Sequence, residues 1–176
     1  MSEILIFDAL CFAKEAHEGQ VRKYTGEPYI VHPIEVAQIV RSVTTNTQMI
    51  AAALLHDVVE DTYVTNEVIL AFFGHTVAEL VQMLTDVSKL EDGNRRVRKE
   101  LDRQHIAAAS PAAKTIKLAD LISNTANIVK HDEHFAKVYM REKKALLEVL
   151  TEGDPQLYAM AEGIVKTYYT NNGDTK

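Results

Sequence analysis

Residues 47–62 read Thr-Gln-Met-Ile-Ala-Ala-Ala-Leu-Leu-His-Asp-Val-Val-Glu-Asp-Thr, an apolar run followed at once by ionisable groups. From Met49 to Leu55 the run is apolar all round a helix, so the segment belongs in the centre of a domain. Thr47 is the expected N-cap. At the far end His56, Asp57, Glu60 and Asp61 share one end and nearly one side of the helix, because positions three and four apart are neighbours. Carboxylates there oppose the helix dipole and repel one another. A divalent cation removes that repulsion, and imidazole with carboxylate suits Mn, Fe or Zn better than Ca. The bland alternative is a frayed, solvated helix end, which would cost stability with no local gain.

Outward from this helix the chain keeps helical spacing almost throughout, and alternating strand patterns are absent, so the fold class is all-α. A helix over 4–17 groups Leu5, Phe12 and Ala16, with Phe7 and Cys11 adjoining, and ends near Gly19. Residues 19–29 form a loop. Pro33 suits the first residue of the next helix, where its missing N–H is not needed, and His32 stands at that helix's entrance. Gly74 closes one helix, Thr76 and Glu79 form a capping box for another, and Ser110-Pro111 and Asp154-Pro155 open two more. The expectation is a single bundle of about eight or nine helices over residues 1–170, with a polar tail over 171–176.

Composition agrees with one globular domain: 176 residues, 47% hydrophobic and 25% charged. A net charge of −6 is the wrong sign for binding nucleic acid through bulk electrostatics, so an anionic ligand needs a local basic patch. The single cysteine, Cys11, cannot form an internal disulfide, which makes the cytoplasm the expected compartment. Glu3 and Asp8 interrupt the apolar N-terminus and no basic segment precedes it, unlike a signal peptide. No run approaches the ~20 apolar residues of a membrane span.

Other segments supply candidate partners for the acidic helix end. His32 precedes Pro33 in EPYIVHPIEVA, and Asp120 shares a helical stripe with Lys117, Asn124 and Asn127. Taken alone, that stripe could be an ordinary solvent face. Arg22-Lys23 gives an acidic protein a local cationic pair, and Arg95, Arg96, Arg98 and Lys99 form a second basic cluster after Gly93, read mainly as a solvated face. His131, Asp132 and His134 are expected as a surface loop and helix start, and His17, His75 and His105 as helix-end or surface residues.

The stretches AHEGQVRKYTGEPYIVHPIEVA (16–37), AAALLHDVVEDT (51–62) and SPAAKTIKLADLISN (110–124) resemble the HD-superfamily hydrolases of the Rel/Spo type, in particular the small alarmone hydrolases. The resemblance runs along nearly the whole chain and implies an HD-domain bundle. It implies that His32, His56, Asp57 and Asp120 hold one Mn²⁺, with Glu60 and Asp61 beside the attacking water. Arg22 and Lys23 would then frame the nucleotide base, Asn124 would touch the ribose, and Arg98 and Lys99 would lie near the pyrophosphate. The implied reaction removes the 3′-diphosphate from a (p)ppGpp-like alarmone. A (p)ppApp-type hydrolase, a generic HD nucleotidase and a non-catalytic nucleotide sensor are the alternatives. The chemistry is coherent: a metal can lower the pKa of a water and polarise a phosphoryl group, a carboxylate can take the water's proton, and Arg can stack on a purine. Leu121 and Ala126 stand where relatives often carry basic residues, which thins the positive charge expected near the substrate.

Overall fold

The computed structural model describes residues 2–172, apart from the side chains of Ser2 and Ala126. In chain order its first helices are α1 (Ser2–Ala16), α2 (Val31–Arg41), α3 (Thr47–Leu55), α4 (Val58–Asp61) and α5 (Asn66–Phe73). They are followed by α6 (His75–Leu84), α7 (Arg95–Ala107), α8 (Pro111–His131), α9 (Glu133–Leu147) and α10 (Pro155–Asn171), with a short 3₁₀ turn at Leu90–Asp92. The only β-type pairing among the described residues is an isolated bridge between Val21 and Pro28. The all-α reading therefore holds. Residues 173–176 of the polar tail lie outside the described residues, and α10 continues through Asn171.

The core is organised around α3. Ala51, Ala52, Ala53 and Leu55 are fully buried, and α3 packs against α1, α2, α6 and α8. The consecutive alanines keep this central helix narrow, so its neighbours can approach closely. Larger residues from the surrounding helices, including Val36, Val81, Ile116 and Leu118, fill the space around it. Burying each such side chain contributes roughly 1.5–3 kcal/mol. In α1 the fully buried positions are Ala9 and Ala13, whereas Phe7, expected to adjoin the buried face, is 65% exposed.

Several helix starts differ in detail from the sequence expectation. Asn46, not Thr47, caps α3: its backbone is extended and its Oδ1 accepts from the N–H groups of Gln48 and Met49. The Thr76–Glu79 capping box does not form, because Gly74, with φ of 80°, both ends α5 and starts α6 at His75, leaving Thr76 inside the helix. Helix α2 begins two residues before Pro33, which still lies in the first turn, where its missing N–H is not needed. Ser110 and Asp154 cap α8 and α10 as expected. Asp132 caps α9 by accepting from the Phe135 N–H, in keeping with the surface reading of His131-Asp132. His17 follows the last residue of α1, a helix-end position as expected, but it is not a surface residue: it is 3% exposed, because its ring packs against Tyr29.

One difference bears directly on function. The sequence suggests one continuous helix through Asp61, but α3 ends at Leu55 and a separate turn, α4, resumes at Val58. The break falls on His56 and Asp57.

Candidate metal centre and adjoining cleft

The interruption between α3 and α4 brings His56 and Asp57 to the flank of α8 and the first turn of α2. His56 Nε2 lies 3.1 Å from Asp57 Oδ1 and 4.0 Å from Asp120 Oδ1. His32 Nε2 lies 3.3 Å from Asp120 Oδ1 and 3.5 Å from Asp57 Oδ2. Both histidines are 2% exposed, and one ligand atom from each of His32, His56 and Asp57 falls within 4.8 Å of the others. Three distant segments thus converge on one point.

The hydrogen bonds behind the rings fix what each imidazole presents. His56 Nδ1 is 2.8 Å from the Ala53 carbonyl, which can only accept, so Nδ1 carries a proton and Nε2 is the nitrogen available to a ligand. That buried Nε2 has no hydrogen-bond partner. For His32 the same result comes through a chain. Arg22 and Ser123 Oγ both donate to Glu35 Oε2 at 2.8 Å, which leaves Ser123 Oγ to accept from His32 Nδ1 at 3.0 Å. Two Nε2 atoms facing two carboxylates form, once a cation displaces any proton they carry, a donor set suited to a divalent metal ion.

Electrostatics agree. Burial pushes the His56 pKa down, but Asp57 and then Asp120 prevail and raise it to about 9, so the Nε2 position attracts positive charge. Burial also works against ionisation of Asp57 and Asp120, yet His56 beside the first and Lys117 beside the second hold both below the ordinary carboxylate range.

Glu60 and Asp61 flank this centre. Glu60 is exposed, yet desolvation by the groups around it, followed by the Asp86 carboxylate, raises it to about 7, although Lys117 pulls the other way. Glu60 Oε2 accepts from the Asp86 N–H at 3.3 Å. Asp61, also exposed, is raised as well, by desolvation and then by Asp57. Its Oδ2 lies 3.0 Å from the Tyr29 hydroxyl, which is 2.7 Å from Asp57 Oδ2, so one phenol joins the two acids.

The expected substrate residues are distributed differently. Arg22 is 8% exposed and tied to Glu35, so it stands behind His32 on the Nδ1 side and is not displayed for stacking on a base. Lys23 is exposed, with Nζ 4.9 Å from the Tyr24 ring centroid and 5.9 Å from that of Phe135. Asn124 donates to Asp120 Oδ1 at 2.6 Å, and Lys117 lies 3.2 Å from Asp120 Oδ2, so this stripe serves Asp120 and is not a plain solvent face. Arg98, Lys99, Arg95, Ser88, Asp86 and Glu60 bound a polar recess of about 410 Å³. Arg98 Nε is buried there without a partner, and Lys99 bonds Asp86 at 2.6 Å. Leu121 is fully buried in the core, and the Ala126 side chain lies outside the described residues.

Tyr29, Glu35, Ser123 and Asp86 were not singled out from sequence. The first three carry a usable signal: Tyr29 and Glu35 are three residues either side of His32, and Ser123 is three after Asp120, one helical turn from a candidate ligand. Asp86 has no such signal, since it reaches the site from the loop after α6.

Comparison with known proteins gives a consistent picture. The HD domain family model matches residues 9–150. Guanosine-3′,5′-bis(diphosphate) 3′-pyrophosphohydrolase MESH1 of Xenopus tropicalis is 42% identical over 123 residues, covering 68% of this chain and 67% of that protein. The enzyme of the same activity name from Vibrio cholerae is 43% identical over 115 residues, 64% of this chain, but the match spans only 16% of that longer protein. Among solved structures, one described as a metazoan ortholog of SpoT that hydrolyses ppGpp superposes with a TM-score of 0.84 at 29% identity, covering 97% of this chain and 96% of the other. A Listeria monocytogenes protein, lmo0812, superposes with a TM-score of 0.68 at 26% identity, covering 84% of this chain and 99% of the other.

Proposed function

The chain belongs to the HD domain family, and from that premise we propose that it is a Mn²⁺-dependent pyrophosphohydrolase acting on the 3′-diphosphate of a (p)ppGpp-like alarmone. The observation that carries the reading is the pair of histidines whose Nδ1 protons are committed elsewhere, leaving both Nε2 atoms to converge with Asp57 and Asp120. These four residues would hold the ion. When bound, it supplies Lewis acidity that lowers the pKa of a water and polarises the phosphoryl group. The likeness to MESH1 and to the metazoan ppGpp hydrolase supports the substrate class. The domain match over residues 9–150 supports reading the chain as one catalytic domain, which we place at residues 1–170.

The chain's own residues divide the remaining work. Glu60, poised near neutrality, takes the proton of the attacking water. The water oxygen bonds to the phosphorus attached to the ribose 3′ oxygen, that P–O bond breaks, and the 3′ oxygen receives a proton. Asp61, held by Tyr29, orients the water. Arg98 and Lys99 receive the departing pyrophosphate in the polar recess, and Lys23 borders the base. Asn124 holds Asp120 through its amide and meets the ribose from the same stripe. Arg22 is a positioning residue that acts through Glu35 and Ser123 on His32.

The test is to incubate Mn²⁺-loaded protein with the guanine alarmone, its adenine counterpart and a plain nucleoside monophosphate. Release of pyrophosphate with GDP or GTP from the first is expected. Turnover of the adenine compound alone would move the assignment to (p)ppApp, and turnover of the monophosphate alone to a general nucleotidase. Binding of an alarmone without any product would indicate a sensor.

A further inference from the structure

A second cavity, of about 830 Å³, lies among α7, α8 and α9 and shares Asp86, Arg95 and Lys99 with the polar recess beside Glu60. Phe135 and Tyr139 provide it with aromatic surface, and Lys99, Lys117 and Lys143 line it as cations. Most of its basic residues closest to the metal centre are answered by an acid: Lys99 by Asp86 at 2.6 Å, Lys117 by Asp120 at 3.2 Å and Arg95 by Glu142 at 2.7 Å. Lys143 is different. Among the described residues it has no carboxylate at ion-pair distance, and its Nζ sits 4.7 Å from the centroid of the Tyr139 ring.

This arrangement is costly in the absence of an anion. Burial pushes the Lys143 ammonium down to about 8; Asp120 acts in the opposite sense, while Lys117 and Lys99 repel it further. A half-buried lysine beside two others, next to a candidate hydrolytic centre, breaks a local rule that a bound anion would restore. The compact ammonium suits a phosphate oxygen, and the adjacent rings suit the apolar part of the same molecule.

We propose that Lys143 is a substrate-binding residue that contacts phosphate oxygens of a nucleotide in this cleft, supplying from α9 a positive charge that Leu121, buried in the core, does not supply from α8. The inference rests on the proposed function only for the substrate being a phosphate-bearing nucleotide. It gives Lys143 a role in affinity and charge selection, not in proton transfer.

The experiment measures binding of GDP and of inorganic pyrophosphate to the metal-loaded protein by calorimetry. Lys143→Met should weaken both by about tenfold or more, the size of a hydrogen bond to a charged group, and Lys143→Arg should stay within about threefold of the parent. Metal content and melting temperature should be unchanged in both. An affinity within about twofold of the parent in Lys143→Met would overturn the proposal, as would equal weakening in Lys143→Arg together with a lowered melting temperature, which indicates packing alone. Should Lys143→Met fail to fold, Lys143→Gln carries the same comparison. Neither probe needs to be hydrolysed, so a parent protein that binds them but turns over no alarmone would remove the proposed function and leave Lys143 standing. A parent that turns over the alarmone with the same KM in Lys143→Met would do the reverse.

Discussion

Ser123 Oγ stands 3.0 Å from His32 Nδ1 and gives its own proton to Glu35 Oε2 at 2.8 Å, so a hydroxyl behind the ring decides that Nδ1 of His32 carries a proton and leaves Nε2 toward the candidate metal centre. Removing that control should be felt as lost metal affinity. Ser123→Ala is expected to weaken Mn²⁺ binding by about 10–100-fold, the usual range for a hydrogen-bond partner behind a ligand. Arg22→Ala should act in the same direction through Glu35. Metal titration of both variants checks this. A raised KM with unchanged metal affinity in Arg22→Ala would instead restore the stacking role.

Replacing His32, His56, Asp57 or Asp120 by Ala should abolish bound metal and turnover together. In the parent, a chelator should lower the melting temperature, because a metal held only by the folded chain contributes RT ln(1 + [L]/Kd), about 2.7 kcal/mol at a hundredfold excess over Kd. Elemental analysis and thermal unfolding, with and without chelator, read both effects. Full metal content in Asp120→Ala would contradict the ligand set.

Glu60 must be ionised to accept a proton. With its pKa raised to about 7 before metal is added, activity should climb as pH rises toward neutrality and then level off; a bound cation moves this limb to lower pH. Glu60→Gln should remove the limb and lower kcat by about 10²–10⁴ while metal still binds. Stability of the metal-free protein follows the opposite course. A carboxyl whose folded pKa lies above its unfolded value favours folding while protonated, so Glu60 makes stability fall as pH rises from the ordinary Glu range to about 7. Denaturant titrations across that window should show the fall in the parent and a flatter profile in Glu60→Gln.

The Tyr29 hydroxyl lies 2.7 Å from Asp57 Oδ2 and 3.0 Å from Asp61 Oδ2. Donation to Asp61 favours its ionised form, so Tyr29→Phe should raise the Asp61 pKa further and, by releasing the carboxylate that orients the water, lower kcat across the pH profile. The fold should survive, since only an oxygen is lost. A pH–rate profile that matches the parent would show that Tyr29 does not hold Asp61 in place.

Gly153 is confined by packing. A Cβ built there would lie 2.6 Å from Leu118 Cδ1 and 3.2 Å from both the Leu150 carbonyl oxygen and the Lys114 carbonyl carbon. Leu118 is fully buried and cannot move away cheaply. Gly153→Ala should therefore destabilise the protein by roughly 1–3 kcal/mol, measurable by urea unfolding, with metal affinity unchanged.

The sequence by itself determined the all-α class, the central position of the Met49–Leu55 run and the ionisable cluster at its end, while the grouping of His32 and Asp120 with His56 and Asp57 was what the resemblance to the Rel/Spo-type hydrolases implied. The first three follow from periodicity or from charge set against apolar surroundings, properties that short windows of chain carry. The Ser110 and Asp154 caps were legible for the same reason. Only the tertiary structure decided the break at His56-Asp57, the burial of His17 and Arg22, and the placement of Asp86 and Lys143 beside α8. Arg22 shows why: as a loop residue with glycine nearby it reads as half of a cationic pair open to a ligand, and its partner Glu35 acquires meaning only once α2 and α8 bring Ser123 against His32. A contact between segments distant in the chain depends on how helices pack, and no local pattern encodes which side chains that packing will bring together.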